Sequence, residues 1–409
     1  MYNIIKDLWN TNRCLLSADY DSALKYIDHL IGLRIIEIPT GTKCGTWTVP
    51  QNWEVKDAWI KFNGKKIYSY KKDPLGLVVG SSNIKGTFTK EALIKHISYN
   101  KEMPKVRPYV MKYYNNGWGF SMPYNQFAKL KNGKYEVMVD TKKADGNLRI
   151  GEHVIVGKSN REVWVVVHLD HPYQANDGLS QVAMAIDLAK KIKSVYTIRI
   201  LFVPETIGSI AYVNEMGTEN LSFVITADMI GNDNSILLSK SFNPNDGISK
   251  AAQLALASTG KDFRITQWRA PLGADEYVFA DPKINIPAVQ FSRSPYKEYH
   301  TDQDTPDIIK KKNISEVRDI IIDTIKIMES DYIPLKNFKG PLMRSRFGVQ
   351  SMDAETNRKL DYLIYGIDGK KSIMELAFLC ALNYGFVYNL FKKLKDEDFI
   401  YNLSEGSKQ

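Results

Sequence analysis

Two histidines and three acidic residues between positions 168 and 300 have side chains that can bind a metal ion and move a proton. They are His168, Asp177, Glu205, Asp228 and His300. Imidazole and carboxylate groups together make a ligand set suited to zinc, and a carboxylate that does not bind the metal can take a proton from water. Each residue alone has a simpler explanation, because a histidine near a strand end is commonly structural and an Asp-Gly pair is commonly a turn.

The elements around these residues predict an α/β fold class, with a mostly parallel central sheet flanked by helices. Short, continuously apolar runs alternate with longer stretches of helical spacing between about residues 163 and 330. Continuous apolar strands separated by helices are typical of parallel sheets that are covered on both faces. The predicted strands are 163–167, 198–203, 223–227 and 288–291, and the predicted helices between them are 179–192, 209–215 and 248–258.

The candidate residues follow these strands in order. His168 directly follows the first strand, Glu205 lies just past the second, Asp228 ends the third, and His300 lies in the loop after the fourth. Asp177 belongs to the loop that joins the first strand to the next helix. Ligands bind beyond the carboxyl ends of the strands in open parallel sheets, so we expect all five at one edge. This coincidence favours a metal site over five unrelated structural roles.

The segments that carry these residues are also similar to known motifs. In chain order they are His168-Leu-Asp-His, Ala175-Asn-Asp-Gly-Leu-Ser, Pro204-Glu-Thr-Ile-Gly-Ser, Ala227-Asp-Met-Ile-Gly and Tyr299-His-Thr-Asp-Gln-Asp-Thr. They resemble the ordered motifs of zinc aminopeptidases related to bacterial leucyl aminopeptidases and glutamate carboxypeptidase II, which have a phosphorylase/hydrolase-like fold. With Gly45-Thr-Trp-Thr-Val-Pro, most of the chain resembles a bacterial branch that has an aminopeptidase-like domain, an inserted small domain and a C-terminal winged helix.

The resemblance implies a zinc-dependent hydrolase that cleaves an amide or peptide bond with metal-activated water. It implies that His168, Asp177 and Asp228 hold one zinc ion, and that Asp177 bridges toward a second ion held by His300. The implied substrate is a peptide or an amide-containing small molecule. A homo-oligomer is a further expectation, which comes from the C-terminal segment described below.

The resemblance also implies catalytic roles, and the chain departs from the family pattern at one of them. Asp170 would orient His168, and Glu205 would be the general base that passes a proton to the leaving amine. The family usually has two consecutive glutamates, base and then ligand, but here Thr206 follows Glu205. Either His171 replaces the missing ligand, or the enzyme uses a single zinc ion, as in the related glutaminyl cyclases.

Four further residues lie in the last loops near the predicted site and are candidates for binding substrate charge. They are Arg269, Glu276, Arg293 and Tyr299. Each is equally expected as part of a structural ion pair or as a surface residue.

The rest of the chain divides by changes of pattern. We predict a helical lead-in at 1–44, an inserted small β-rich domain at 45–104 and the α/β domain at 105–333. Apolar alternation at 135–139 and 152–156, around a turn that begins at Ala144, predicts that these two strands pair with each other.

Residues 341–409 are predicted to form a winged helix-turn-helix domain. Ser372 and Glu375 have capping-box spacing at the start of one of its helices. In the last helix the lysines at 392, 393 and 395 are followed by acidic residues at 396–398, so the charges nearly cancel. This favours a protein-contact or dimerisation role over DNA binding.

Bulk composition narrows the class of protein. A hydrophobic fraction of 44% and a charged fraction of 25% are typical of a globular chain with a sizeable core. The start of the chain lacks the pattern of a secretory signal and no apolar run has the length of a membrane span, so we expect a cytoplasmic protein. Three cysteines without CxxC spacing suggest neither a disulfide framework nor a cysteine metal site. Two rival hypotheses stay open: a DNA-binding regulator with a non-catalytic metal-binding sensor domain, and a single-zinc acyl transferase.

Overall fold

The computed structural model describes residues 2–114, 117–350 and 352–403. The helices are α1 (Tyr2–Leu8), α2 (Ala18–Ile31), α3 (Lys90–Leu93), α4 (Tyr124–Phe127), α5 (Leu179–Lys191), α6 (Ile207–Met216), α7 (Gly247–Ser258), α8 (Glu276–Phe279), α9 (Lys311–Ser330), α10 (Arg344–Phe347), α11 (Ala354–Tyr365), α12 (Ile373–Leu379) and α13 (Tyr384–Asp396). The strands are β1 (Arg34–Pro39), β2 (Lys43–Cys44), β3 (Trp47–Thr48), β4 (Asn52–Phe62), β5 (Lys65–Ser69), β6 (Ile84–Thr89), β7 (Ile97–Ser98), β8 (Phe120–Ser121), β9 (Lys134–Ala144), β10 (Asn147–Ile155), β11 (Glu162–His168), β12 (Thr197–Val203), β13 (Leu221–Asp228), β14 (Ile236–Ser239), β15 (Phe263–Thr266), β16 (Ala288–Ser292), β17 (Pro334–Lys336) and β18 (Ile400–Asn402).

A central sheet organises the fold, with the predicted parallel strands in its middle, but antiparallel pairs on both sides make it mixed rather than mostly parallel. Within the described residues it has eight strands in the order β1-β10-β12-β11-β13-β16-β14-β15, and its middle strands from β12 to β16 run parallel. Alternate side chains of β11 enter different cores: Val163 and Val165 pack in one apolar cluster, and Trp164 and Val166 pack in another. Both faces of the sheet are therefore buried, which explains why its strands are continuously apolar.

Helices α5, α6 and α7 lie where helical spacing predicts them, with ends that differ by one or two residues. Helix α5 ends with two lysines, which is favourable at a helix C-terminus. No helix among the described residues is long and apolar enough to cross a bilayer.

A second sheet of four strands, in the order β5-β4-β9-β6, forms the small β-rich region. The predicted pairing of β9 with β10 is wrong: β9 pairs with β4 and β6, whereas β10 pairs with β1 and β12. The two strands are close in sequence, but their apolar side chains pack in different cores. Tyr135 and Val137 join the cluster of the small sheet, and Leu148 and Ile150 join that of the central sheet. A boundary at residue 104 would therefore cut the small sheet.

The two ends of the chain pack against the central layer. Helices α1 and α2 match the predicted lead-in, but the segment Arg34–Pro39 within it is an edge strand of the central sheet. At the other end, Ser372 and Glu375 form the predicted capping box. Helices α12 and α13 bury apolar residues in the same cluster as α7, and Lys250 of α7 lies 2.8 Å from Glu375. The C-terminal helices therefore share a core with the central sheet.

Candidate metal and catalytic site

The central sheet brings the five candidate residues to one edge. His168 and Asp228 are the last residues of the parallel strands β11 and β13, and Glu205 follows β12 by two residues. Asp177 lies just before α5, and His300 lies in the loop after β16. The carboxyl ends of the parallel strands meet at this edge, so residues far apart in sequence become neighbours.

Asp177 is at the centre of the cluster. Its Oδ1 lies 3.0 Å from Nε2 of His168, and its Oδ2 lies 3.0 Å from Nε2 of His300. Oδ1 of Asp228 lies 3.4 Å from Nε2 of His168. The side chains of His168, Asp177 and Asp228 are no more than 5% exposed, whereas His300 is 26% exposed. The cluster is therefore buried on the side of the sheet and open beside His300.

His171 lies in the same cluster, between Asp177 and Glu205. Its Nδ1 lies 3.7 Å from Oδ1 of Asp177, and its Nε2 lies 3.5 Å from Oε2 of Glu205. Burial lowers the pKa of His171 to about 3, so its ring is neutral and has a free lone pair at neutral pH. One ligand atom from each of His168, His171 and Asp177 lies within 4.8 Å of the others. The structure thus places His171 within the cluster, close to both Asp177 and Glu205.

Three buried ligand atoms of the cluster lack a hydrogen-bond partner among the described residues. They are Nδ1 of His171, Oδ2 of Asp177 and Nε2 of His300; the last two lie 3.0 Å apart but are not in hydrogen-bond geometry. A buried polar atom without a partner costs free energy unless something satisfies it. Two imidazole nitrogens and a carboxylate oxygen are ligands that zinc prefers, so the donor set fits a metal ion.

The electrostatics of the site also fit a cation. Burial raises the pKa values of Glu205 and Asp228, and neighbouring carboxylates raise them further. A buried cation, Arg13, is engaged by the backbone: its guanidinium donates to the carbonyl oxygens of Leu169 and His171. Arg13 therefore holds the loop after β11 in place, and the acidic groups remain in excess.

Two further carboxylates contact Glu205 and His168. Oδ1 of Asp170 accepts a hydrogen bond from the backbone N–H of Glu205 at 2.8 Å. The carboxylate beside Nδ1 of His168 belongs to Asp275, at 3.8 Å. Asp275 also accepts from the backbone N–H of Thr206 and the hydroxyl of Ser209. The pattern of the sequence did not indicate Asp275 or Arg13, because no recognisable motif contains them.

The four candidate substrate-binding residues have different surroundings. Tyr299 stacks on His300 with ring centroids 3.9 Å apart, and so lies at the open side of the cluster. Arg293 is buried in an ion pair with Glu316 at 2.5 Å. This pairing makes Arg293 a structural residue.

Arg269 and Glu276 lie near each other. Arg269 stacks over Tyr277, whose hydroxyl donates to the side chain of Thr206. Glu276 is fully buried and accepts from the N–H of Ala274, and burial raises its pKa to about 7. Of the four candidates, Tyr299 therefore has the position best suited to contact a substrate.

Tyrosines that pack with the core of the small sheet contact the cluster and its loops. The ring of Tyr109 meets those of His300 and His171 edge to face, at centroid distances of 5.1 and 5.9 Å. Its backbone N–H donates to the carbonyl oxygen of His300 at 2.8 Å. The hydroxyl of Tyr70 lies 3.3 Å from that of Tyr173 in the loop before Asp177. These contacts join the core of the small sheet to the loops that carry the cluster.

Comparison with known proteins shows the family of the chain and the architecture that it shares with aminopeptidases. Residues 2–331 match the family described as a domain of unknown function, DUF4910, and the chain belongs to that family. A protein of Clostridium acetobutylicum is 29% identical over 400 residues, which are 94% of this chain and 92% of that protein. It is provisionally named a polysaccharide biosynthesis protein with an aminopeptidase-like domain.

Solved structures show the same architecture. A crystal structure from Clostridium acetobutylicum, provisionally described as a peptidase, has a TM-score of 0.85 and 26% identity, and the match covers 98% of this chain and 96% of that one. A zinc aminopeptidase of Bacillus subtilis has a TM-score of 0.60 and 14% identity, over 79% of this chain and 93% of its own. At that identity the likeness shows a shared fold.

Proposed function

We propose that this protein is a zinc-dependent hydrolase that cleaves an amide or peptide bond, with aminopeptidase-like action. The observation that carries the proposal is the set of three buried, unpartnered ligand atoms on His171, Asp177 and His300, with the carboxylate of Glu205 beside them. The zinc aminopeptidase of Bacillus subtilis has the same fold, which supports the choice of metal. A DNA-binding sensor would need the ligands but not a free carboxylate at this position.

The residues of the chain have separate tasks in the proposed reaction. A zinc ion, when bound, polarises the scissile carbonyl group and lowers the pKa of water. Glu205 takes a proton from the attacking water and passes it to the leaving amine, so that water and amide become acid and amine. Its raised pKa suits a group that must both accept and return a proton. Asp170 positions Glu205 through the backbone hydrogen bond, and Asp275 faces the ring of His168.

The surroundings of the site support a small substrate or the end of a peptide chain. Tyr109 contacts the rings of His171 and His300, and Tyr299 stacks on His300. Aromatic rings packed on the exposed histidine favour a small molecule or a chain terminus over a folded protein surface.

The test is hydrolysis by protein whose metal content is controlled. Protein stripped by a chelator and then reconstituted with zinc should hydrolyse members of a panel of aminoacyl amides and N-acylated amines, and the stripped protein should not. Preference for a free amino group identifies an aminopeptidase, and preference for acylated amines identifies another amide hydrolase. Failure of the reconstituted protein on both halves of the panel would contradict the proposal.

We propose a packing role for the C-terminal segment, which has the element order of a winged helix-turn-helix. Helices α12 and α13 are joined by a tight turn, and β18 pairs with β17. The apolar face of α13 contributes Val387 and Leu390 to the core shared with α7. This face therefore stabilises the catalytic layer.

A further inference from the structure

The metal cluster has two halves that differ in their hydrogen bonding. One half consists of the unpartnered atoms Nδ1 of His171, Oδ2 of Asp177 and Nε2 of His300. The other half consists of Nε2 of His168, Oδ1 of Asp177 and Oδ1 of Asp228, each of which takes part in a hydrogen bond with another side chain. Distance alone groups His168 with His171 and Asp177, and not with His300, but the hydrogen bonds of His168 place it in the second half.

The carboxamide of Gln181 lies between His168 and Asp228 in the second half. This residue is in the first turn of α5 and is fully buried. Its Nε2 lies 3.0 Å from Nε2 of His168 and 3.0 Å from Oδ1 of Asp228. The amide nitrogen thus stands beside the two atoms that would otherwise face a cation.

The orientation of this carboxamide is set by the backbone. Its Oε1 accepts from the N–H of Met229 at 3.3 Å and lies 3.2 Å from the hydroxyl of Ser180. Rotating the amide by 180° would place its NH₂ against the N–H of Met229, two donors face to face. The NH₂ group therefore points at His168 and Asp228.

Neither tautomer of His168 leaves a lone pair for an ion on this side. With a proton on Nε2, the ring donates to Oδ1 of Asp177 at 3.0 Å. Without that proton, Nε2 accepts from the NH₂ of Gln181. A cation in this half would have to displace one of these bonds, whereas a cation in the other half would satisfy three atoms that have no partner.

We propose that the protein binds a single zinc ion, held by His171, Asp177 and His300, and that the carboxamide of Gln181 takes the place of a second ion between His168 and Asp228. The inference rests on the proposed function, because it concerns the metal of that site. Three protein ligands with one open position make the arrangement typical of catalytic zinc. His168 and Asp228 then act as positioning residues that hold the carboxylate of Asp177 and the amide.

The experiment counts bound zinc. Metal-free protein is dialysed to equilibrium against excess zinc, and zinc per chain is measured by mass spectrometry, with affinity from calorimetry. The wild type should hold one ion. His300→Ala should weaken binding by more than about 100-fold, since loss of a direct ligand exceeds the 10–100-fold effect of a supporting residue. Asp228→Asn, which still accepts from Gln181, should retain one ion.

Gln181→Ala supplies a gain of binding that a merely unfolded variant cannot mimic. Removal of the amide should free His168 and Asp228 to bind a second ion, and the count should rise to two. The matched control is Gln253→Ala on α7, whose amide donates to the backbone oxygen of Ser249 away from the site, and which should hold one ion.

Other counts overturn the inference. Two ions of similar affinity in the wild type, no ion, or loss of the single ion in Asp228→Asn but not in His300→Ala would each do so. Two ions together with amide hydrolysis would leave the proposed function standing without this inference. One bound ion without hydrolysis of any substrate on the panel would leave this inference standing and would contradict the proposed function.

Discussion

Charged side chains occur in two contrasting settings in this molecule, the edge of the central sheet and the C-terminal helices. At the sheet edge, Asp177 and Asp228 are 2% and 4% exposed. In the C-terminal helices, the ion pairs Lys359–Glu355 and Lys371–Asp368 leave 35–61% of each side chain exposed. Exposed pairs contribute about 0–1 kcal/mol to stability, whereas a buried polar group without a partner costs roughly 2–7 kcal/mol. Buried, incompletely satisfied groups indicate function better than exposed ion pairs do, and this contrast supports placing the proposed chemistry at the sheet edge.

The sharpest way to test this contrast is to remove one aspartate from each setting. Asp177→Ala should lose zinc and lower turnover to background, because this carboxylate is at the centre of the cluster. Asp361→Ala, which removes an exposed partner of Arg344, should change neither. Zinc content and turnover measured on the same preparations decide the matter, and an Asp177→Ala protein with full zinc would refute the site.

A second pair of substitutions separates proton transfer from metal binding. Glu205→Gln should lower turnover by ~10²–10⁴-fold, because the amide keeps the shape of the side chain but cannot accept a proton. Zinc content should stay near that of the wild type. Glu397→Gln, which alters an exposed pair with Arg346, should leave turnover unchanged. Zinc lost together with turnover would instead make Glu205 a ligand.

The sequence predicts what depends on local pattern. The run Val163–Val167 is continuously apolar because both faces of β11 are buried, so its strand and the position of His168 follow from the pattern alone. The pairing partner of β9 does not follow from the pattern. A hairpin with β10 is the simplest expectation for two strands separated by a turn, but β9 has alternating burial and pairs with β4 about 80 residues earlier.

The supporting residues of the site were harder to predict for the same reason. Asp275 faces His168 from more than 100 positions away, and Arg13 reaches the loop after β11 from the first segment of the chain. Gln181 lies among the apolar residues of α5, and its position in the helical spacing does not distinguish it from the other residues of that helix. Their importance comes from hydrogen bonds between distant segments, which neither spacing nor composition encodes.

A substitution in the core of the C-terminal helices should lower stability without lowering turnover. Ile373→Ala at the start of α12 should reduce the free energy of unfolding by about 2–5 kcal/mol, because this side chain is fully buried in the shared core. Turnover per folded molecule should not change. Leu379→Ala at the end of the same helix is the matched control, since Leu379 is 66% exposed. Denaturant titration of both variants checks the prediction, and equal losses would indicate that α12 does not pack as described.

The smallest effect is expected from the basic residues of α13. The side chain of Lys393 donates to the carbonyl oxygen of Phe347, and that of Lys395 lies 5.7 Å from the ring centroid of Tyr332, so both are engaged within the protein. Duplex DNA should therefore bind no more tightly than about 10⁻⁴–10⁻⁶ M at physiological salt, the range of non-specific binding. Replacement of Lys392, Lys393 and Lys395 by alanine should change that affinity little. Fluorescence anisotropy of labelled duplexes at two salt concentrations measures it. A submicromolar, salt-sensitive complex that the triple variant loses would make the C-terminal helices a DNA-binding unit and would favour the regulator over the hydrolase.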